Sequence, residues 1–212
     1  MKAIIFDLFR TLTTDNGRPD IEDRIIKEFN LRLSYPEVER YTCGTLFMNM
    51  DQYLENLLAG IKVSITRKNK LLLLKLIEDD IASFKVKPGA EKTLALFKEG
   101  NYKIGLISNI LTPSYNRIYN SLDKYFDYKA LSFELGIIKP DTRIFQLALD
   151  KLNVTPEQAI MIGDNLGSDI IGAKNAGIKG IWISDKQSTI PYAITHSLAD
   201  TFKIAERYFN QK

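Results

Sequence analysis

The stretch Ala3-Ile4-Ile5-Phe6-Asp7-Leu8-Phe9-Arg10-Thr11 decides how this chain is read. It opens as an apolar run without alternation and meets a carboxylate at Asp7. A run that is apolar on both faces suits a strand of a parallel sheet covered on both sides. Residues 102–107, 130–133, 159–162 and 180–183 have the same character. Amphipathic segments separate them. One helix is expected from near Pro88 to Gly100. Ile144, Phe145, Ala148, Leu149 and Leu152 form one helical stripe. Ile170, Ala173 and Ala176 form another, closed by Gly177, a residue that can take the left-handed cap conformation. This rhythm predicts an α/β fold with a parallel sheet of about five strands.

About 80 residues between the first two strands break the rhythm, with no strand signal. Ile21, Ile25, Ile26 and Phe29 mark one helix there, Tyr53, Leu54, Leu57 and Leu58 a second, and Leu73, Leu76, Ile77, Ile81 and Phe84 a third. The expected organisation is a core of residues 1–13 and 87–212 with a helical cap of residues 14–86 inserted after the first strand. The basic run Arg67-Lys68-Asn69-Lys70 reads as the solvated start of the third helix.

The composition excludes several classes. Hydrophobic residues at 45% and charged residues at 26% are the balance of a globular chain and not of a disordered one. One Cys excludes a disulfide framework, and one His excludes a multi-His metal site. A net charge of +3 with scattered basic residues argues against a nucleic-acid partner. Asp7 interrupts the first apolar run before a signal-peptide core can form. The most apolar segment, residues 71–77, contains Lys75 and runs into Glu78-Asp79-Asp80, so no membrane span is expected. The expected compartment is the cytoplasm.

In open parallel sheets the ligand lies at the carboxyl ends of the strands. Those ends here carry Asp7 and Thr11, then Ser108 and Asn109, then Lys139, then Asp164 with Asp169 one turn later. Ionised carboxylates about 4 Å apart repel by roughly 4 kcal/mol at an effective dielectric near 20, so they call for a cation. An oxygen-only ligand set suits Mg²⁺ better than zinc. A cation, an ammonium and a hydroxyl around a carboxylate suit a phosphoryl group or similar anion, with the carboxylate as nucleophile.

These residues resemble the motifs of the haloacid dehalogenase-like hydrolases. The first is residues 6–12, the second Leu106-Ile107-Ser108-Asn109, and the third Lys139-Pro140-Asp141 followed by Ile144-Phe145. The fourth runs from Ile162-Gly163-Asp164-Asn165 through Ser168-Asp169 to Gly172-Ala173. The resemblance covers residues 1 to about 183 and the C-terminal element at 193–198. It implies a doubly wound, Rossmann-like sheet of order 3-2-1-4-5 with an inserted helical cap. It implies Asp7 as nucleophile and metal ligand, the Phe9 backbone carbonyl as a second ligand, and Asp164 and Asp169 as further ligands to Mg²⁺. Ser108 and the Asn109 backbone would bind the transferring group, Lys139 would neutralise charge, and Thr11 would hold the turn at the substrate-binding rim. The partner would be a small anionic molecule. The oligomeric state is left open.

One departure matters. Phosphatases of this family carry a second Asp at the position of Phe9, which protonates the leaving oxygen and then activates water. That role is typically worth about a hundred- to ten-thousand-fold. Arg10 also replaces the small residue usual at the next position. The favoured expectation is a phosphatase with a weakened or substitute acid, for which Asp15 is one candidate. A 2-haloacid dehalogenase is the alternative, since halide leaves unprotonated and an aromatic residue is usual there; Arg40 would then bind the substrate carboxylate. A non-enzymatic phosphate- or metal-binding protein is a third reading, and a phosphonate-cleaving form would need a Schiff-base lysine such as Lys62 or Lys68. Plainer roles are expected elsewhere. Cys43 is a small, partly buried residue, His196 a surface residue, Trp182 a packing residue and Asp141 a helix cap. Tyr41, Phe47, Met48, Met50 and Tyr53 pack the lobe in preference to lining a pocket.

Overall fold

Ala3, Ile4, Ile5 and Phe6 are all fully buried, as a two-sided run requires, and they form the central strand β1 (Ala3–Phe6). The computed structural model describes residues 1–15, 17–186 and 193–210. After β1 come the short strand β2 (Thr13–Thr14) and four helices, α1 (Ile21–Glu28), α2 (Tyr35–Thr42), α3 (Met50–Gly60) and α4 (Arg67–Ser83). Strand β3 (Lys85–Val86) returns antiparallel to β2, with Thr13 opposite Val86. The alternating part follows: α5 (Ala90–Glu99), β4 (Lys103–Ser108), α6 (Asn116–Tyr119), β5 (Tyr128–Leu131), α7 (Ser132–Leu135) and α8 (Thr142–Leu152). Then come β6 (Ala159–Gly163), a π-helical turn at Leu166–Ile171, α9 (Gly172–Asn175), β7 (Lys179–Ile183), β8 (Ala193–Thr195) and α10 (Thr201–Asn210).

The six long-range strands form one sheet in the order β5-β4-β1-β6-β7-β8. Every neighbouring pair is parallel. This is the expected order with a sixth strand added at the edge. Alternation along the strands feeds two cores. Ile4, Phe6, Ile104, Leu106, Ile160 and Ile162 pack with Leu94, Phe97 and Ala205 of α5 and α10. Ala3, Ile5, Ile107, Ala159 and Met161 pack with Phe145, Ala148, Leu149 and Ala173 of α8 and α9. Helices on both faces make the sheet doubly wound, and all parallel strand ends emerge on one rim.

Three details differ from expectation. The strand expected at 130–133 lies at Tyr128–Leu131, and Ser132 already begins α7. The Ser132 hydroxyl explains the switch: it accepts from Ile110 N at 2.9 Å and donates to Ile110 O at 3.0 Å, pinning the crossing point. The segment between β2 and β3 has four helices instead of three. The additional one is α2, whose start is signalled by a reciprocal Ser34–Glu37 capping box with Pro36 in the first turn. The β2–β3 ribbon has two residues a side, too few for alternation to show. Among the described residues no helix is long and apolar enough to cross a membrane.

Candidate active site

Asp7 leaves β1 with its N–H donating to Ile162 O at 2.9 Å, which fixes the backbone at the rim. Lys139, 2% exposed, reaches the same point from the loop before α8. Its ammonium donates to Asp7 Oδ1 at 2.5 Å, Asp169 Oδ1 at 2.7 Å and Ile107 O at 3.0 Å, so all three donors are used. Asp169 projects from the π-helical turn, and its other oxygen accepts from Asn165 N at 3.0 Å. Gly163 makes this approach possible, because a Cβ there would overlap the Asp169 carboxylate. Asp164 accepts from the buried Thr11 hydroxyl at 3.1 Å, and its backbone carbonyl accepts from Trp182 Nε1 at 2.8 Å.

Asp7, Asp164 and Asp169 each offer an oxygen within 4.8 Å of the others. Burial raises the Asp7 carboxyl to about 6 despite the Lys139 charge, and Asp169 adds to the rise. Burial, then the Asp7 and Asp169 charges, push Asp164 up to about 8. Burial alone would lower the Lys139 ammonium, but Asp169 and Asp7 together raise it. One lysine therefore does not balance three carboxyls. This all-oxygen set fits a hard divalent cation such as Mg²⁺, whose charge would relieve the repulsion.

Ser108 is fully buried at the end of β4, and among the described residues its Oγ has no hydrogen-bond partner. Leaving such a hydroxyl unmet costs about 1–3 kcal/mol, which a bound oxyanion would offset. The Asn109 side chain, for which no separate role was expected, is fully engaged. Its Oδ1 accepts from Lys139 N at 2.8 Å, and its Nδ2 donates to Lys139 O at 3.1 Å and to Glu39 Oε1 at 2.9 Å. It thus clamps the Lys139 main chain. The Thr11 hydroxyl likewise serves Asp164.

A cavity of about 110 Å³ opens over these groups, with walls from both the rim and the α1–α4 segment. The Phe9 ring lines it, packed against Phe84 at 4.7 Å and edge-on to Tyr115 at 5.4 Å between centroids. Arg10 also lines it and has the left-handed φ of 58°. A glycine would take that conformation without strain. The Arg10 guanidinium pairs with Asp15 and Asp20, and the Arg10 carbonyl accepts from the Lys87 ammonium. Asp15 lines the cavity, and its oxygens are already engaged by Arg10 and by Gly17 N at 2.9 Å.

Several other expected residues lie elsewhere. Arg40 is exposed and outside the cavity, whereas its neighbour Glu39 lines it. Lys62 and Lys68 are exposed and outside it too. Tyr41, Phe47, Met48, Met50 and Tyr53 are absent from its described walls; Tyr53 is fully buried in the core and Met48 is 75% exposed. Asp141 caps α8 by accepting from Arg143 N at 3.0 Å. His196 lies on the surface, 3.4 Å from Asp185. Cys43 is more deeply buried than expected and borders the cavity. Trp182 does more than pack, since its indole N–H holds the Asp164 loop. Sequence reasoning missed Glu22, Tyr35 and Glu39, which line the cavity from α1 and α2. The Ser34–Glu37 box would have placed α2, but not the direction in which Glu39 points.

Solved structures similar in shape include a HAD phosphatase from Thermococcus onnurineus, with TM-score 0.63 and 24% identity over 97% of this chain and 98% of that one. A 2-haloacid dehalogenase from Pseudomonas syringae pv. Tomato gives TM-score 0.66 and 20% identity over 98% and 99%. At these identities the likeness shows the fold alone. In sequence, a glyceraldehyde 3-phosphate phosphatase of Pyrococcus furiosus is 43% identical over 97 residues, 45% of this chain and 40% of that protein. The chain thus matches less than half the length of that relative. A phosphorylated carbohydrates phosphatase of Thermotoga maritima is 26% identical over 94% of this chain and 81% of its own length. The haloacid dehalogenase-like hydrolase model matches residues 1–177, and with the sheet order and rim geometry above, the chain belongs to the haloacid dehalogenase-like hydrolases.

Proposed function

We propose that this chain is a Mg²⁺-dependent phosphatase that hydrolyses a small phosphorylated molecule through an aspartyl intermediate on Asp7. The observation that carries the reading is the Asp7–Lys139–Asp169 cluster with Asp164 beside it, three carboxyls within 4.8 Å and one shared ammonium. Asp7 would attack phosphorus, displacing the leaving oxygen, and water would then cleave the acyl phosphate and restore the carboxylate. Lys139 fixes the Asp7 oxygen and neutralises charge near it. The Ser108 hydroxyl and the Asn109 backbone would meet the phosphoryl oxygens. Thr11 and Trp182 orient Asp164. Asp7, Asp164, Asp169 and the Phe9 carbonyl would hold the ion. When bound, Mg²⁺ supplies charge neutralisation at the phosphoryl oxygens. Helices α1–α4 would act as a cap that closes the cavity and limits substrate size. Its volume lies well below the roughly 300–1,000 Å³ of drug-sized pockets, in keeping with a small substrate.

The lining also bears on dehalogenase chemistry. Phe9 favours that reading, but a haloacid carboxylate needs a cation. Among the described lining residues the cationic side chains are Arg10 and Lys139, and each already pairs with two carboxylates. The test is a paired assay of 4-nitrophenyl phosphate with Mg²⁺ and of a 2-haloacid without metal. Phosphate release that stops in chelator is expected. Halide release with no phosphatase activity would reverse the assignment, and Mg²⁺ binding with neither activity would favour a binding protein.

A further inference from the structure

Phe9 cannot donate a proton, so an alkyl leaving group must be served from another wall of the cavity. Five carboxyls between residues 15 and 80 line it: Asp15, Asp20, Glu22, Glu39 and Asp80. Three are committed to arginine. Asp15 and Asp20 pair with Arg10, while Asp80 receives Arg24 at 3.1 Å and the Tyr115 hydroxyl at 2.8 Å. Glu22 is turned toward α2, where it accepts from the Thr42 hydroxyl at 2.7 Å. Glu39 differs, because it reaches across to the strand end and accepts from Asn109 Nδ2 at 2.9 Å. Asn109 directly follows Ser108 and grips the main chain of Lys139, whose ammonium holds Asp7. Glu39 is thereby tied, through Asn109, to the strand end where the transferring group would sit, and it lines the same cavity as Asp7.

We propose that Glu39 is the general acid and base of this site, taking the role that Phe9 cannot fill. The inference rests on the phosphatase reading. In the first half-reaction the Asp7 Oδ–P bond forms, the bond from phosphorus to the leaving oxygen breaks, and the Glu39 carboxyl proton moves to that oxygen. In the second half-reaction the Glu39 carboxylate takes a proton from water as the water oxygen bonds to phosphorus. The Asp7 Oδ–P bond then breaks, and both side chains return to their starting states. The surroundings suit this role. Burial holds the Glu39 carboxyl above its usual range, against the Asn109 hydrogen bond and the Lys139 charge, with Asp20 and Asp169 adding to the rise.

Glu39→Gln tests the proposal, since a glutamine oxygen can still accept from Asn109. With Mg²⁺ present, turnover of an alkyl phosphate such as glycerol phosphate should fall about 10²- to 10⁴-fold. On 4-nitrophenyl phosphate, whose leaving group needs no proton, the variant should release a burst of one nitrophenolate per site and then turn over slowly, because the base is gone. Wild-type turnover of the alkyl ester by the variant would overturn the proposal. So would loss of the burst in a variant whose circular dichroism and melting temperature match the wild type, because attack on this ester needs no acid. A wild-type protein inactive on both esters would remove the phosphatase reading and this inference with it.

Discussion

Glu22 is 4% exposed, and burial raises its carboxyl to about 8 against the Thr42 hydrogen bond, with the Glu39 and Asp20 charges adding to the rise. The sign of its effect on stability follows from linkage. Between about 4.5 and 8 the folded state holds the proton and the unfolded state does not, so stability falls as pH rises through that window, by a few kcal/mol at most. Glu22→Gln should flatten this loss. Denaturant midpoints of both forms at pH 5.5 and 8.5 check it, and equal slopes would show that Glu22 does not carry the dependence. At this scale the rim was legible in the sequence. Asp7, Ser108, Lys139, Asp164 and Asp169 follow strand ends, and the parallel sheet brings such ends together wherever they lie in the chain. Glu22 and Glu39 were not legible. A glutamate on a short helix reads as a solvated residue, and only the packing of α1 and α2 over the rim turns these two inward.

Strand β7 shows how an element away from the reacting groups shapes the site. Trp182 sits on it and donates its indole N–H to the Asp164 carbonyl at 2.8 Å. Trp182→Phe keeps an aromatic ring and removes that donor. The Asp164 loop should loosen, and Mg²⁺ affinity should drop about tenfold, the lower end of the effect seen when support behind a metal ligand is lost. Isothermal titration checks this, and unchanged affinity would make Trp182 a packing residue only. The elements themselves were read with uneven success. Long stripes such as the one on α8 declared themselves, because 11 residues give three turns of repeat. The β2–β3 ribbon and the four-residue helices α6 and α7 are too short for any period to register, whereas the equally short α9 showed because it continues the π-helical turn before it. The shift of β5 arose because Ser132 takes its partners from Ile110, a contact between segments 22 residues apart.

Across the whole molecule, the three carboxyls are assembled only by folding, since Asp7 and Asp169 stand 162 positions apart in the chain. A cation that binds this cluster therefore binds the native state in preference to the unfolded chain. At about 100 times Kd it should add about 2.7 kcal/mol. For a chain of this length that is a rise in Tm of about 5–10 °C. Asp164→Asn should abolish most of the rise, whereas an equal rise in the variant would place the ion elsewhere. Whether Asp7 is the nucleophile is decided by rapid acid quench during turnover of phosphorus-labelled 4-nitrophenyl phosphate with Mg²⁺, followed by peptide mapping. A base-labile phosphoryl group should appear on Asp7, and none on the Asp7→Asn protein. Label on a different residue, or full turnover by Asp7→Asn, would contradict the assignment of Asp7.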